Sequence, residues 1–323
     1  MKTKQLIIAG FSLLGILLLV ILGTSQPDTI LPALSSFMMI TLGLVVGFYL
    51  KQRFGLSWGL FGAGALTFIA SQVLHIPFNL YLLNPFLARV APQPNPGTQG
   101  LVLWGIALGL SAGLFEETAR LVVLRFWRKD VQSRKQALMF GAGHGGIEAI
   151  ILGIIGFISF LQLFFYRQYG PDFLGKVTDS GQVQALQNTL RTYWDFSWYE
   201  HLWGALERFS VIPIHLSATI LVYQSLRRKN ILWYLAAVIW HALVDFVAVY
   251  AGQSWGIPIT EGILFGLGML GWGMVFLLRD PHPPPVIEET ASPPEAVPPA
   301  PMPQPAVQDH TITIESLEES RYE

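Results

Sequence analysis

The chain has 323 residues, 52% of them hydrophobic and 13% charged, with a net charge of −1 and no cysteine. Soluble domains carry about 25% charged residues, so a purely water-soluble globule is excluded, and the lack of thiols excludes disulfides and thiolate zinc sites. The near-zero charge hides a division: residues 1–279 hold 19 Lys/Arg against 12 Asp/Glu, a mildly basic membrane domain, whereas residues 280–323 hold nine acids and one Arg, an acidic tail.

Apolar windows of about 20 residues predict an all-α, polytopic membrane bundle with eight spans, at 5–23, 32–51, 57–75, 100–125, 136–165, 205–226, 231–251 and 258–278. Lys2 and Lys4 precede the first run, but it is longer than a signal h-region and no A-x-A site follows, so it reads as an uncleaved span. After the third span, residues 76–99 are rich in Pro and Asn and read as an outer loop. Within it FNLYLLNPFL at 78–87 suits the interface, and His75 reads as an interfacial histidine. The fifth span is long enough to tilt or to project from the bilayer. A second outer loop, 166–204, holds WDFSWYEHLW at 194–203, an aromatic belt that includes His201. Glu207 and Arg208 open the sixth span as an interfacial ion pair. Residues 281–305 contain eleven prolines and cannot build a helix or a core. That tract reads as a solvated tail, or as a PxxP-type ligand for a protein partner. No repeat, P-loop or dinucleotide fingerprint is present, and the basic residues sit at span ends, so nucleic acid is not implied.

Those basic residues set the orientation. Lys2, Lys4, Lys51, Arg53, Arg125, Arg128, Lys129, Arg134, Lys135, Arg227, Arg228, Lys229 and Arg279 share one side if the N-terminus is inside. The other side has Arg89, Arg167, Lys176 and Arg191, diluted by Asp172, Asp179, Asp195 and Glu200. Both termini of this multi-pass plasma- or inner-membrane protein are therefore expected in the cytoplasm.

Ionisable groups inside the spans carry the chemistry. Each costs roughly 2.5–3.5 kcal/mol on insertion scales. At 1.5 Å per residue, Glu116, Glu117, His144, His215 and His241 all fall about 12–17 Å from the cytoplasmic end, although their helices run in alternating directions. Arg120 is one turn from the glutamates and can pair with either. Glu148 follows His144, and Asp245 follows His241, by four residues, so each pair can share a metal or one member can orient the other. Zinc accepts imidazole nitrogen and carboxylate oxygen, and a water on zinc or held by a glutamate becomes a nucleophile near neutral pH. The glycines of FGAGHGG, 140–146, allow close approach around His144.

EETAR at 116–120, FGAGH at 140–144 and HALVD at 241–245 resemble the three motifs of the CAAX-protease and bacteriocin-processing superfamily: a Glu-Glu pair with a following Arg, F-x-x-x-H, and H-x-x-x-Asn/Asp. GxGHGGIEA at 141–149 and the run from Glu207-Arg208 to His215 are similar to its relative, the YhfC family of intramembrane metalloproteases. The resemblance covers about residues 35–278. It implies that Glu116 or Glu117 activates water, that His144 and His241 are the histidines of the second and third motifs, and that Asp245 is the Asn/Asp partner. Here the first motif is EExxR rather than EExxxR, which leaves the choice of glutamate open. Glu148 is closer to PrsW-type relatives.

The expected function is peptide-bond hydrolysis within or near the membrane, in a cavity open to the cytoplasm. Zn2+ is expected on His144, His241 and either His215 or Glu148. Glu117, alternatively Glu116, is expected to take the proton, Arg120 to hold the glutamate pair, and Asp245 to orient His241 or, if protonated, to help hold the oxyanion. Membrane lipid and a membrane protein or peptide substrate are the implied partners. Two other readings suit the same residues: an ion-coupled transporter, which favours an inverted repeat not found here, and a non-catalytic scaffold or immunity protein.

Overall fold

The structure is a computed structural model and describes residues 29–92, 96–170 and 180–280. Among these residues there are seven helices long and apolar enough to cross a membrane, assembled into an all-α bundle. The expected first span at 5–23 and the Pro-rich segment at 281–305 lie outside the described residues.

Helix α1 is Ile30–Phe54 and ends at Gly55, whose φ of 66° supplies the left-handed cap. Helix α2, Trp58–Phe78, starts where Ser57 Oγ accepts from Gly59 N at 3.0 Å. It does not give way to the loop expected at 76–99. It passes through Pro77 into a π turn, Asn79–Leu83, and then α3, Asn84–Val90, with Pro85 in the tolerated first turn. Leu80, Tyr81, Leu82 and Phe86 are exposed apolar side chains. In lipid a helix keeps its backbone bonds internal, and that need outweighs the two prolines. Helix α4, Gly97–Val122, ends in a second π turn, Val123–Trp127. Helix α5, Arg134–Tyr169, begins with a capping box between Ser133 and Gln136. Its 36 residues exceed what a bilayer core of about 30 Å requires, a length that a span accommodates by tilting or by projecting from the bilayer. The segment expected as a second outer loop contains α6, Ser180–Trp194, and a short 3-10 turn at Glu200–Leu202. Helices α7, Trp203–Arg228, α8, Leu232–Ser254, and α9, Ile257–Leu277, complete the bundle. Asp280 is docked: it accepts from Tyr223 Oη at 2.8 Å and from Arg134 N at 3.1 Å, at the start of α5.

Helix α7 is central. It packs on α1, α4, α5, α8 and α9. In its most apolar stretch 89% of residues are buried, against at most 39% in any other span. Glycines close the other crossings. A Cβ on Gly143 of α5 would lie 1.9 Å from the Phe61 carbonyl oxygen of α2, and one on Gly64 would lie 1.9 Å from the Phe140 oxygen. Lipid gives helices no hydrophobic reason to associate, so backbone contact of this closeness is what joins them. The end that carries the basic connections is filled by a core including Phe61, Leu124, Val131, Phe140, Ile220 and Tyr223.

Candidate active site

Four helices deliver the ionisable side chains to one level. Helix α4 brings Glu116, Glu117 and Arg120, α5 brings His144, α7 His215 and α8 His241, and all six are buried. Gly145 permits this: a Cβ there would lie 2.9 Å from the His215 ring, so only a residue without one lets α7 seat that imidazole against α5. The centroids of the His144 and His241 rings each lie 5.6 Å from that of His215.

Glu116 and Glu117 have different surroundings. Glu116 Oε2 faces His144 Nε2 at 3.0 Å, with His241 Nε2 and Arg120 Nη2 each at 3.8 Å. Its Oε1 accepts from Gln72 Nε2 at 3.0 Å. Glu117 is fully buried; its Oε1 accepts from Arg120 Nη1 and lies 2.7 Å from His241 Nδ1. A carboxylate only accepts, so His241 carries a proton on Nδ1, and its Nε2 faces the carboxylates of Glu116 at 3.8 Å and Asp245 at 3.7 Å. Arg120 Nη2 donates to His215 Nδ1 at 2.7 Å. His215 Nε2 lies 2.7 Å from Glu148 Oε2 without a well-directed hydrogen bond. Glu148 also accepts from Arg208, whose other nitrogen bonds Glu207. Asp245 makes no hydrogen bond among the described residues and lies 3.7 Å from His241 Nε2. Glu117, rather than Asp245, therefore orients the His241 ring.

A cavity of about 590 Å³ opens from this level. Glu116, Glu148, Glu207, Arg208, His215, His241 and Asp245 line it, and Glu117 does not. The lining runs from the charged level to Ile76, Ile155, Glu207 and Ala248, away from the basic connections. The expected opening on the side of those connections is therefore corrected, because the packed core fills that end. Ile69, Val73 and Ile76 of α2, and Leu152 and Ile155 of α5, line the cavity and are also exposed on the bundle surface, which places the mouth between these two helices.

Donor atoms of Glu116, His215 and His241 lie within 4.8 Å of one another. A carboxylate with two buried imidazoles suits zinc or another divalent transition ion. Glu116 Oε2 faces the centre while also held by His144 Nε2, His241 turns Nε2 toward it, and His215 has Nδ1 bonded by Arg120 and Nε2 against Glu148. The residues fit a metal. His144, expected among the ligands, is instead hydrogen-bonded to Glu116, and its Nδ1 has no partner. Glu148 holds His215 and Arg208.

Four residues at this site escaped the sequence reading as functional: Gln72, His75, Asn79 and Arg208. The first three recur at i, i+3 and i+7 along α2 and into the π turn that continues it, one helix face, and that spacing was the available signal. His75 is not an isolated interfacial side chain; it lines the cavity and stacks on Phe115 at 5.3 Å. Arg208 is buried and serves two carboxylates. Arg208→Gln strands Glu148 without its cation and is expected to cost about 3–5 kcal/mol, read as a lower Tm in detergent. Arg208→Lys is expected to recover only part of it, since an ammonium lacks the planar fork that reaches both acids.

A sequence model of the YhfC intramembrane metalloprotease family matches residues 38–264. The chain is 31% identical over 228 residues to the uncharacterised membrane protein YhfC of Bacillus subtilis strain 168, covering 70% of this chain and 85% of that one. No solved structure matches.

Proposed function

This chain belongs to the YhfC intramembrane metalloprotease family, and from that membership we propose that it hydrolyses peptide bonds within or beside the bilayer. The observation that carries the reading is the buried meeting of Glu116 with His144, His215 and His241, from four helices, at the inner end of a cavity. A fold that tolerated these groups by accident would not gather them around one carboxylate oxygen.

Glu116 is the glutamate that meets water, because it lines the cavity and Glu117 does not. Its Oε2 takes the proton of the attacking water and returns it to the leaving amine. Asp245 also lines the cavity, but relatives of the third motif accept Asn there, and an amide cannot take a proton. Its part is to contact the peptide or the polarised oxygen beside His241. Glu117 holds His241 through Nδ1–H, and Arg120 offsets the charge of the glutamate pair. His144 holds Glu116 Oε2. Glu116, His215 and His241 would hold a metal ion, zinc by the chemistry of the donors, and the ion would acidify the water and polarise the scissile carbonyl.

The substrate is a membrane protein or peptide. The mouth between α2 and α5 is bordered by apolar side chains exposed where lipid would lie, so a chain enters sideways from the bilayer. Both termini are cytoplasmic on the Lys/Arg asymmetry, which puts the mouth toward the outer leaflet.

Metal analysis of purified protein and mass spectrometry of transmembrane peptides in proteoliposomes test this reading together. Wild type is expected to carry near-stoichiometric zinc and to cut peptides. His215→Ala and His241→Ala are expected to lose both, and His144→Ala to keep zinc while losing cleavage. Intact peptides with ion uptake by the same liposomes would make the protein a transporter. Intact peptides with neither uptake nor zinc would make it a scaffold.

A further inference from the structure

A relay of hydrogen bonds leaves the active site along α2 and returns to α4. Glu116 Oε1 accepts from Gln72 Nε2 at 3.0 Å. Gln72 Oε1 lies 3.2 Å from His75 Nδ1, and His75 Nε2 lies 2.9 Å from Asn79 Nδ2. Asn79 Oδ1 accepts from Ser111 Oγ at 2.7 Å. Ser111 and Glu116 are both on α4, so the relay is a strap from α2 across about one and a half turns of that helix.

Its direction follows from chemistry at both ends. A carboxylate only accepts, so the amide nitrogen of Gln72 must face Glu116 and its oxygen must face His75. That oxygen needs a donor, which puts the ring proton of His75 on Nδ1. The bare Nε2 then needs a donor, and the Asn79 amide nitrogen supplies one. Asn79 Oδ1 is left to receive the Ser111 hydroxyl. Every member is satisfied, and each donates toward Glu116. The His75 ring is further held by stacking on Phe115. Pro77 and the π turn beginning at Asn79 interrupt α2 within the strap; such π turns recur at functional sites.

We propose that Gln72, His75 and Asn79 are positioning residues that fix Glu116 by its Oε1 and so leave Oε2 as the single oxygen facing the three imidazoles and the cavity. The proposal rests on the reading of Glu116 as the working carboxylate. Its consequence is specific. Glu116 has two equivalent oxygens on a rotatable bond, and a donor fixed at one of them makes the other available in one orientation. The same strap commits His75 to the Nδ1–H tautomer.

The test uses the full chain in lipid nanodiscs with 15N-labelled histidine. The His75 signals are assigned, among those of seven histidines, by their loss in His75→Phe. Wild type is expected to show a protonated Nδ1 and a bare Nε2 at His75. Asn79→Asp keeps the side-chain shape but replaces the donor with an acceptor, so the His75 proton is expected to move to Nε2. Zinc titration supplies the second readout. Gln72→Leu and Asn79→Asp are each expected to weaken zinc binding about 10–100-fold, as loss of a group that orients a ligand does. A clamp that merely joined α2 to α4 would lower Tm in these variants and leave the tautomer and the zinc affinity alone. His75 protonated at Nε2 in wild type, or zinc affinity unchanged in both variants, would overturn the proposal. If Gln72→Leu fails to fold, Asn79→Asp carries both readouts. Wild-type protein that binds no zinc counts against the metalloprotease reading instead, and the His75 tautomer then decides the strap by itself.

Discussion

Glu116→Gln is expected to lower peptide cleavage by at least about 100-fold, the scale of a lost general base, with the Tm of the bundle little changed. The glutamine keeps the shape of the side chain and an oxygen for Gln72 or His144 to bond. What disappears is the charged oxygen that takes a proton at the wall of the cavity and joins His215 and His241 in the donor set. Glu117→Gln is expected to behave differently. Glu117 is fully buried and is engaged by Arg120 and by His241 Nδ1. Neutralising it leaves Arg120 with one fewer counter-charge in a low-dielectric interior, a cost on the order of 3–5 kcal/mol for a broken buried pair. It also loosens the ring of His241, so zinc affinity should fall about 10–100-fold. The pair of variants separates the two neighbouring acids: Glu116→Gln loses turnover and a metal ligand while the bundle keeps its stability, whereas Glu117→Gln lowers stability as well as metal affinity. Equal turnover losses with equal Tm values would show that the cavity-facing position of Glu116 does not decide its role.

Gly143→Ala is expected to unseat α2 from α5. The added carbon would lie 1.9 Å from the backbone oxygen of Phe61, with the Phe61 carbonyl carbon at 2.6 Å, and backbone cannot swing aside as a side chain can. The helices must separate, at a cost of about 3 kcal/mol, the upper range for overpacking. His144 is the next residue, so the separation also draws its ring from Glu116, and cleavage falls with stability. Gly62→Ala on α2 is the control, since nothing lies within 4 Å of its added Cβ. It is expected to be neutral or slightly stabilising, because alanine is the better helix former. Thermal melts of the two variants in the same detergent decide it; matching Tm values would mean that the crossing at Gly143 adapts without cost.

Much of this protein was legible before folding. The seven described spans follow from hydropathy, because a backbone in lipid must bond within its own helix and a window of about 20 apolar residues therefore determines an element without reference to its neighbours. The common level of Glu116, Glu117, His144, His215 and His241 follows too, since a helix converts residue number into depth at a constant rise. Azimuth was not legible. Whether a helix turns Glu116 or Glu117 to the cavity depends on a rotation of about 100° between adjacent residues, and the packing of α4 against α8 sets it. The prolines misled at 76–99 for a related reason: Pro77 reads as a breaker in isolation, and only lipid and the neighbouring α4 make the continued helix the better outcome.

What the sequence by itself determined is therefore the class of molecule, its spans, its charged level and its family, all of which depend on local composition and spacing. The tertiary structure alone decided that Glu117 holds His241 while Glu116 faces the cavity. It alone joined Arg208 to Glu148 across 60 positions and strung Gln72, His75 and Asn79 between Ser111 and Glu116. It alone opened the cavity between α2 and α5. These are relations between faces of different helices, and faces meet only when glycine-lined crossings fix how each helix is turned about its own axis.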